Sequence, residues 1–321
     1  MHAFIGITDP DESARYLVCK AANLGYRFSD YHTNKNKLIT NKHLATFQND
    51  CERRLKGEPI QYLLGNWDFY DMTVLCKPPI LIPRPETEEL VDYIIKSKIL
   101  QTLYTSNTSS TSNISPHILD IGAGSGVIGL ALVKSLLAYK VKCTGIDINP
   151  IAVSLSNENA RLILGNTSKL YYNCIHQSFL EHIESCSEEL PYVTYDMLVS
   201  NPPYIASADI NDLQVEVRQW EDHMALDGGV DGLDIIKDIL IYSSLLLSPT
   251  GTRELWMEVS HLHPILIKQW IEEKGQNYDL NGVLSGGKKG RRVCEYEFIE
   301  SICDMSGQPR FVRLRLGQPV I

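Results

Sequence analysis

Apolar positions recur in two registers along this chain, and the change of register divides it. Up to about residue 56 the spacing is helical, with Leu17, Ala21 and Leu24 on one stripe and Leu44, Phe47, Cys51 and Leu55 on another. These stripes predict short packed helices. Gln61 to Cys76 has strand-like content around Gly65-Asn66, which predicts a hairpin. Beyond it, short apolar runs alternate with longer helical patterns. Pro116-His117-Ile118-Leu119-Asp120-Ile121 predicts a buried strand, and residues 127–139 the helix that follows. Residues 141–146, 170–175 and 196–200 predict three more strands. Asn149 as N-cap and Pro150 at the first helical position open a helix whose stripe, Ile151, Val153, Leu155 and Leu162, is expected in the core. Residues 102–115, rich in Ser, Thr and Asn, predict a low-complexity loop. Strands alternating with helices imply an α/β fold around a mostly parallel sheet. Such sheets bind ligands beyond the carboxyl ends of their strands, at the topological switch point.

Three of those strand ends carry chemistry. The first runs into Gly122-Ala123-Gly124-Ser125-Gly126, where glycines allow a tight turn and close ligand approach before the N–H-rich start of a helix. The spacing is Gly-x-Gly-x-Gly, unlike the dinucleotide fingerprint, and Asp120 stands just before it. An acid there repels a pyrophosphate and attracts an ammonium. The second strand ends in Asp147, where mononucleotide-binding units hold ribose hydroxyls. Together these favour a cationic nucleoside such as S-adenosylmethionine.

The third end is Asn201-Pro202-Pro203-Tyr204. Prolines supply no N–H groups and hold φ near −65°, so the carbonyls of Asn201 and Pro202 can face a ligand's N–H groups beside the asparagine amide. Tyr204 adds an aromatic face. Such a cluster suits a planar amino group gripped by acceptors and stacked on a ring.

With these residues the chain resembles the HemK/PrmC family of class I S-adenosylmethionine-dependent methyltransferases, which methylate the side-chain amide nitrogen of glutamine in peptide-chain release factors. The matching stretches are residues 57–63, the string Ile82-Pro83-Arg84-Pro85-Glu86-Thr87-Glu88, the glycine loop, residues 199–205, and Gly228-Gly229-Val230-Asp231-Gly232-Leu233. The resemblance implies a Rossmann-like, mostly parallel seven-stranded sheet. It further implies a release-factor-recognising helical domain over residues 1–56, a β-hairpin linker over 57–82 and a catalytic domain over 83–321. It assigns catalysis to Asn201, Pro202, Pro203 and Tyr204, and the cofactor to Asp120, Gly122, Ala123, Gly124, Gly126, Asp147, Ile148, Ser178, Asn201 and Arg84. The product cofactor would be S-adenosylhomocysteine, and the target the glutamine of a Gly-Gly-Gln loop in a release factor of bacterial or mitochondrial type.

Three places depart from the family pattern. Where an acid usually meets the adenine amino group the chain has Gln177-Ser178, so adenine is expected on Ser178 or on backbone. The loop Glu221-Asp222-His223-Met224-Ala225-Leu226 is longer and more polar than usual, and Pro249-Thr250-Gly251 replaces a Gly-Gly turn. A lone loop histidine such as His223 is expected on the surface rather than acting as a base.

Composition narrows the alternatives. At 321 residues and 44% apolar content the chain can bury a full core and carry a smaller second domain. No apolar run approaches the roughly 18–20 residues that span a bilayer, so no membrane role is expected. The eight cysteines lack metal-ligand spacing, which predicts reduced thiols and no metal site. A net charge of −9 disfavours stable nucleic-acid binding, with Lys288-Lys289-Gly290-Arg291-Arg292 and Arg310, Arg313 and Arg315 expected as solvated exceptions. A DNA adenine methyltransferase would use the same tetrapeptide on an extruded base, but the charge and the Ile82–Glu88 string weigh against it. A catalytically dead scaffold would not need the intact Asp120, Gly122, Gly124, Asp147 and Asn201. A monomer is expected. Asp9, Asp11 and Glu12 make the N-terminus too acidic for an ordinary transit peptide, which favours cytoplasm. The Ser/Thr/Asn-rich insertion and the family's eukaryotic members favour mitochondria, the compartment expected here.

Overall fold

The computed structural model describes residues 9–25, 28–107, 115–188, 193–274 and 296–317. Helices α1 (Pro10–Ala21), α2 (Phe28–Asn34), α3 (Asn41–Leu55) and α4 (Ile60–Leu64) open the chain. Acids in its first turn and Lys20 in its last suit the dipole of α1, and the Thr40 side chain caps α3 by accepting the His43 N–H. Leu17, Ile60 and Leu63 form a small core with Phe47 and Cys51 against it. The rest of the expected α3 stripe faces water, since Leu44 and Leu55 are exposed. Its buried residues are Asp50 and Arg54, which pair with Lys20 and Glu216, each at 2.8 Å. An ionic helix contact leaves no apolar periodicity to read.

Residues 61–64 are helical, not extended, because Gly65 at φ 79° ends α4 before the hairpin begins. Strands β1 (Asn66–Phe69) and β2 (Met72–Leu75) then pair antiparallel around Tyr70-Asp71. This hairpin is more than a linker. Phe69, Met72, Val74 and Cys76 are buried in the same core as the large catalytic body, and Asn159 accepts the Leu75 N–H at 2.7 Å.

The remaining elements are α5 (Pro85–Lys96), α6 (Ile99–Asn107), β3 (His117–Ile121), α7 (Val127–Ser135), β4 (Lys142–Asp147), α8 (Pro150–Leu164), α9 (Ser168–Tyr171), β5 (Tyr172–His176), α10 (Phe179–Glu188), β6 (Met197–Ser200), α11 (Val215–Trp220), α12 (Asp234–Tyr242), β7 (Glu254–Glu258), α13 (His263–Lys274), β8 (Tyr296–Cys303) and β9 (Pro309–Leu316). They build a seven-stranded sheet in the order β5-β4-β3-β6-β7-β9-β8, parallel except for the pairings of β9. Successive residues point to opposite faces, so Ile118, Met197 and Trp256 pack in the core that holds α5 and α7. Their neighbours Leu119, Leu198 and Leu255 pack against α10, α12 and α13. Order reverses between β3 and β6, which puts the ligand crevice beyond Ile121, Asp147 and Ser200.

Several expectations shift locally. The helix after the glycine loop stops at Ser135 and continues as a 3₁₀ turn over Leu137–Tyr139. On α8 the inward residues are Ala152, Leu155, Ser156, Asn159 and Ala160, while Ile151 and Leu162 are exposed. Leu170 is exposed in α9, outside the third strand of the nucleotide-type unit. Residues 102–107 of the expected loop belong to α6, and 108–114 lie outside the described residues. Gly251 closes the Pro249-Thr250 turn onto the Ser248 carbonyl. Arg313 and Arg315 are not a solvated tail. Both pair with buried Glu254, at 2.8 and 2.7 Å, and Arg310 lies beside Asp304. The basic run at 288–292 and Cys294 fall outside the described residues; the other seven cysteines are free. Among the described residues no His/Cys/Asp/Glu group could hold a metal, and no helix is long and apolar enough to cross a membrane.

Candidate active site

A cavity of about 260 Å³ opens at the carboxyl ends of β3, β4 and β6. Gly122, Gly124, Asp147, Ile148, Ser178 and Asn201 line it. Gly122 and Gly124 have φ of 71° and 56°, and a Cβ on either would stand in open space. The backbone thus offers a cradle that a ligand can approach without side chains intervening. Asp147 Oδ2 accepts the Gly124 N–H and Oδ1 the Asn149 N–H, both at 2.8 Å. A carboxylate has about four acceptor positions, so both oxygens keep capacity for the two hydroxyls of a ribose. Burial raises the Asp147 carboxyl's pKa, opposed by those two N–H groups. Exposed Ile148 and half-buried Phe179 supply apolar walls. The lining fits a nucleoside.

Of the other residues expected around the cofactor, Asp120, Ala123, Gly126 and Arg84 lie outside this cavity. Asp120 is 0% exposed and turns beneath the loop, where Oδ2 accepts the Gly129 N–H at 3.0 Å and Oδ1 has no partner. Burial pushes its carboxyl up to about 7, opposed by that N–H and helped by Asp147. It braces the start of α7 and does not line the cavity. Ala123 and Gly126 are buried, and a Cβ on Gly126 would strike Ser156 and Tyr172. Ser178 lines the cavity but caps α10: its hydroxyl accepts the Glu181 N–H at 3.3 Å, and Glu181 accepts the Ser178 N–H at 2.7 Å. Gln177 is tied to Ser185 and His182. Arg84 lies apart, paired with Glu221 at 2.6 Å, not with the acids of α5.

A second cavity, of about 340 Å³, adjoins the first and shares Leu81, Asn201 and Ala225 with it. Arg84, Tyr204, Ile205, Leu213, Gln214, Val217 and Leu226 complete its wall. Within the tetrapeptide, Pro203 faces the first cavity, Tyr204 the second, and Asn201 both. Pro202 is buried and lines neither. The Gly228–Leu233 string explains itself here, because a Cβ on Gly228 would stand 2.7 Å from the Pro203 carbonyl oxygen. The glycine lets that loop brace the tetrapeptide backbone, joined by the Gly228 N–H to Ile205 O at 2.8 Å.

Three contributors were not singled out in the sequence. Asp222 lines the first cavity and accepts from Asn149 Nδ2 at 2.7 Å, so the polar 221–226 loop holds the start of α8. Thr87 and Glu258 lie behind Asn201 and Tyr204: Asn201 Nδ2 donates to Thr87 Oγ1 at 3.2 Å, Thr87 donates to Glu258 Oε2 at 2.7 Å, and Tyr204 donates to Glu258 Oε1 at 3.3 Å. Burial pushes Glu258 up to about 7 and raises the Tyr204 phenol. Thr87's place in the Ile82–Glu88 string was the available signal; Glu258 had none beyond an acid closing an apolar strand. His223 is exposed, with Nε2 on the Arg218 carbonyl, and lines neither cavity.

The sheet order, glycine loop and Asp147 define a class I S-adenosylmethionine-dependent methyltransferase. Residues 3–65 match the PrmC N-terminal domain and residues 97–219 the methyltransferase small domain. The MTRF1L release factor glutamine methyltransferase of Homo sapiens is 34% identical over 98% of this chain and 84% of its own length. The release factor glutamine methyltransferase of Geobacter sulfurreducens is 34% identical over 72% of each chain. Among solved structures, the N-terminal domain of human METTL16 aligns over 97% of this chain and 95% of that one at 15% identity and a TM-score of 0.49, a likeness that speaks to neither substrate nor mechanism. The chain belongs to the release factor glutamine methyltransferase family.

Proposed function

We propose that this enzyme methylates the side-chain amide nitrogen of the glutamine in the Gly-Gly-Gln loop of a release factor, with the methyl donor in the first cavity and the glutamine in the second. The observation that carries this reading is that the two cavities meet at Asn201. S-adenosylmethionine supplies a methyl group on a sulfonium: the S–C bond breaks, an N–C bond forms, the amide nitrogen gives up a proton to solvent, and S-adenosylhomocysteine leaves. A resonance-stabilised amide is a weak nucleophile, and no base lines the shared wall, so catalysis rests on placement and electrostatics. Asn201 Oδ1 accepts one amide N–H. The second goes to the Pro202 carbonyl, which belongs to the peptide bond joining Pro202 to cavity-lining Pro203. As positive charge develops on nitrogen both hydrogen bonds strengthen. Tyr204 packs on the amide plane, while Asp147 would take the ribose hydroxyls and Ile148 and Phe179 would supply apolar walls for adenine.

The helices of residues 1–56 dock the release factor, and the enzyme acts as a monomer without stable nucleic-acid binding. The mitochondrion is the compartment we assign. Its support is that a human relative and bacterial relatives carry the same activity in their names, as an organelle of bacterial descent would require. Labelled S-adenosylmethionine with either a release factor or duplex DNA tests the substrate. Label in the glutamine is expected; label in DNA overturns the reading. A C-terminal fluorescent tag, leaving the N-terminus free, tests the compartment.

A further inference from the structure

Asn201 can grip an amide N–H only if its oxygen, not its nitrogen, faces the glutamine. Rotating the side-chain amide by half a turn exchanges the two at little intrinsic cost, so something must choose. The choice lies behind it. Thr87 is 3% exposed and Glu258 1%, and neither lines a cavity. The single proton of the Thr87 hydroxyl is donated to Glu258 Oε2 at 2.7 Å. With its proton committed, Thr87 Oγ1 can only accept from Asn201, at 3.2 Å. Asn201 must therefore present Nδ2 to Thr87 and Oδ1 to the opposite side. Glu258 Oε1 also receives the Tyr204 hydroxyl, so one buried carboxylate orients both the asparagine and the tyrosine.

We infer that Thr87 and Glu258 are positioning residues that fix the acceptor face of Asn201 and the ring of Tyr204 toward the substrate glutamine. This rests on the reading of Asn201 as the glutamine clamp. It gives Thr87, on the first turn of α5, a role distinct from helix packing, and it makes Glu258 part of the reaction without contact with substrate.

The test uses the full-length enzyme, its release factor and S-adenosylmethionine. Thr87→Val keeps shape and removes the hydroxyl, so kcat should fall about 10-fold or more, the worth of one oriented hydrogen bond. KM for the release factor and cofactor affinity should stay within about 2-fold, and Thr87→Ser, which restores the hydroxyl, should recover most of kcat. Glu258→Met removes the acceptor, frees the Thr87 proton to turn toward Asn201, and should lower kcat in the same way. In an Asn201→Ala background Thr87→Val should cost little more, because its route runs through Asn201. Wild-type kcat in Thr87→Val, equal losses in the Val and Ser variants, or additivity with Asn201→Ala would each overturn the relay. Unimpaired Asn201→Ala would instead overturn the clamp reading beneath it. Circular dichroism melting checks folding, and if Glu258→Met does not fold the two Thr87 variants still decide.

Discussion

Asp147 Oδ2 accepts the Gly124 N–H at 2.8 Å, so the end of β4 holds the glycine loop of its neighbour β3 in the shape that forms the cradle. One carboxylate therefore both shapes the loop and lines the first cavity. Asp147→Ala removes a charged acceptor worth roughly 1.5–3 kcal/mol, and S-adenosylmethionine should bind about 10- to 100-fold more weakly by calorimetry. Asp147→Asn, which retains one oxygen, should fall between. Turnover at saturating cofactor should survive in both. Unchanged affinity in Asp147→Ala would remove the ribose assignment.

Arg84 and Glu221 give a different signature. Glu221 is almost wholly buried and also accepts the Ile82 N–H at 3.2 Å, next to Leu81, which lines both cavities. Arg84→Met leaves a buried carboxylate without its partner. Because the arginine side chain is 31% exposed, the cost should be about 1–3 kcal/mol, less than for a fully buried pair. Melting should show that loss, and the double variant with Glu221→Gln should recover part of it. Cofactor affinity should hold while kcat/KM for the release factor falls. A selective loss of cofactor binding would return Arg84 to the cofactor site.

The hairpin decides where the enzyme can be cut. A chain starting at residue 77 loses Phe69, Met72, Val74 and Cys76 from the main core, each large core side chain contributing about 2–5 kcal/mol. It should not fold. A chain starting at residue 57 keeps those residues and loses α1, α2 and α3. It should bind S-adenosylmethionine yet methylate the intact release factor poorly, which calorimetry and labelled-methyl incorporation would separate. Full activity of the shorter of these two fragments would contradict the packing.

The nucleotide-binding half of the fold was legible because it is written in local signals. Asn149-Pro150 caps and starts α8 as expected, and the strand ends at Ile121, Asp147 and Ser200 follow from apolar runs closed by polar residues. What escaped was carried by ions and by long-range pairing. The inward faces of α3 are Asp50 and Arg54, which look like surface residues until Lys20 and Glu216 stand beside them. Arg313 and Arg315 looked like a solvated tail because Glu254 lies about sixty positions away. In the site itself, Asn201 and Asp147 are marked by their places at strand ends and line the first cavity, whereas Asp120, at another strand end, does not. A strand-end acid can face a cavity or turn beneath the loop, and here Asp120 turns to the Gly129 N–H.

That buried Asp120 has a pH consequence. Its carboxyl is held up at about 7 from an ordinary value of 3.8, so between these the folded protein keeps a proton that the unfolded chain has released. Its contribution to stability is full below about pH 4 and is lost as pH rises through about 7. Asp120→Asn cannot ionise and keeps an oxygen for Gly129. The melting temperature of the wild type should therefore fall relative to this variant, by a few degrees, between about pH 4 and pH 7. A pH-independent difference would show that Asp120 does not titrate there. Strongly weakened S-adenosylmethionine binding in a well-folded variant would show that its charge acts on the ligand after all.

Asn201 is the residue on which the glutamine reading stands. It lies at the end of β6, lines both cavities, and gives its nitrogen to Thr87 so that its oxygen is free. Asn201→Ala removes an acceptor that strengthens as charge develops on the attacking nitrogen, so kcat should fall on the order of 10²–10³-fold, as for other preorganised electrostatic sites. Cofactor affinity should change far less, since Gly122, Gly124 and Asp147 remain. Asn201→Asp is the sharper probe. Its carboxylate keeps an acceptor but adds negative charge beside the methyl donor's sulfonium, stabilising the cationic ground state along with the transition state. It also loses the donor that Thr87 receives. Tight cofactor binding with impaired turnover is the expected outcome, measured by calorimetry and by single-turnover methylation of the release factor. Normal turnover in Asn201→Ala together with lost cofactor binding would move Asn201 into the cofactor site and end the clamp assignment.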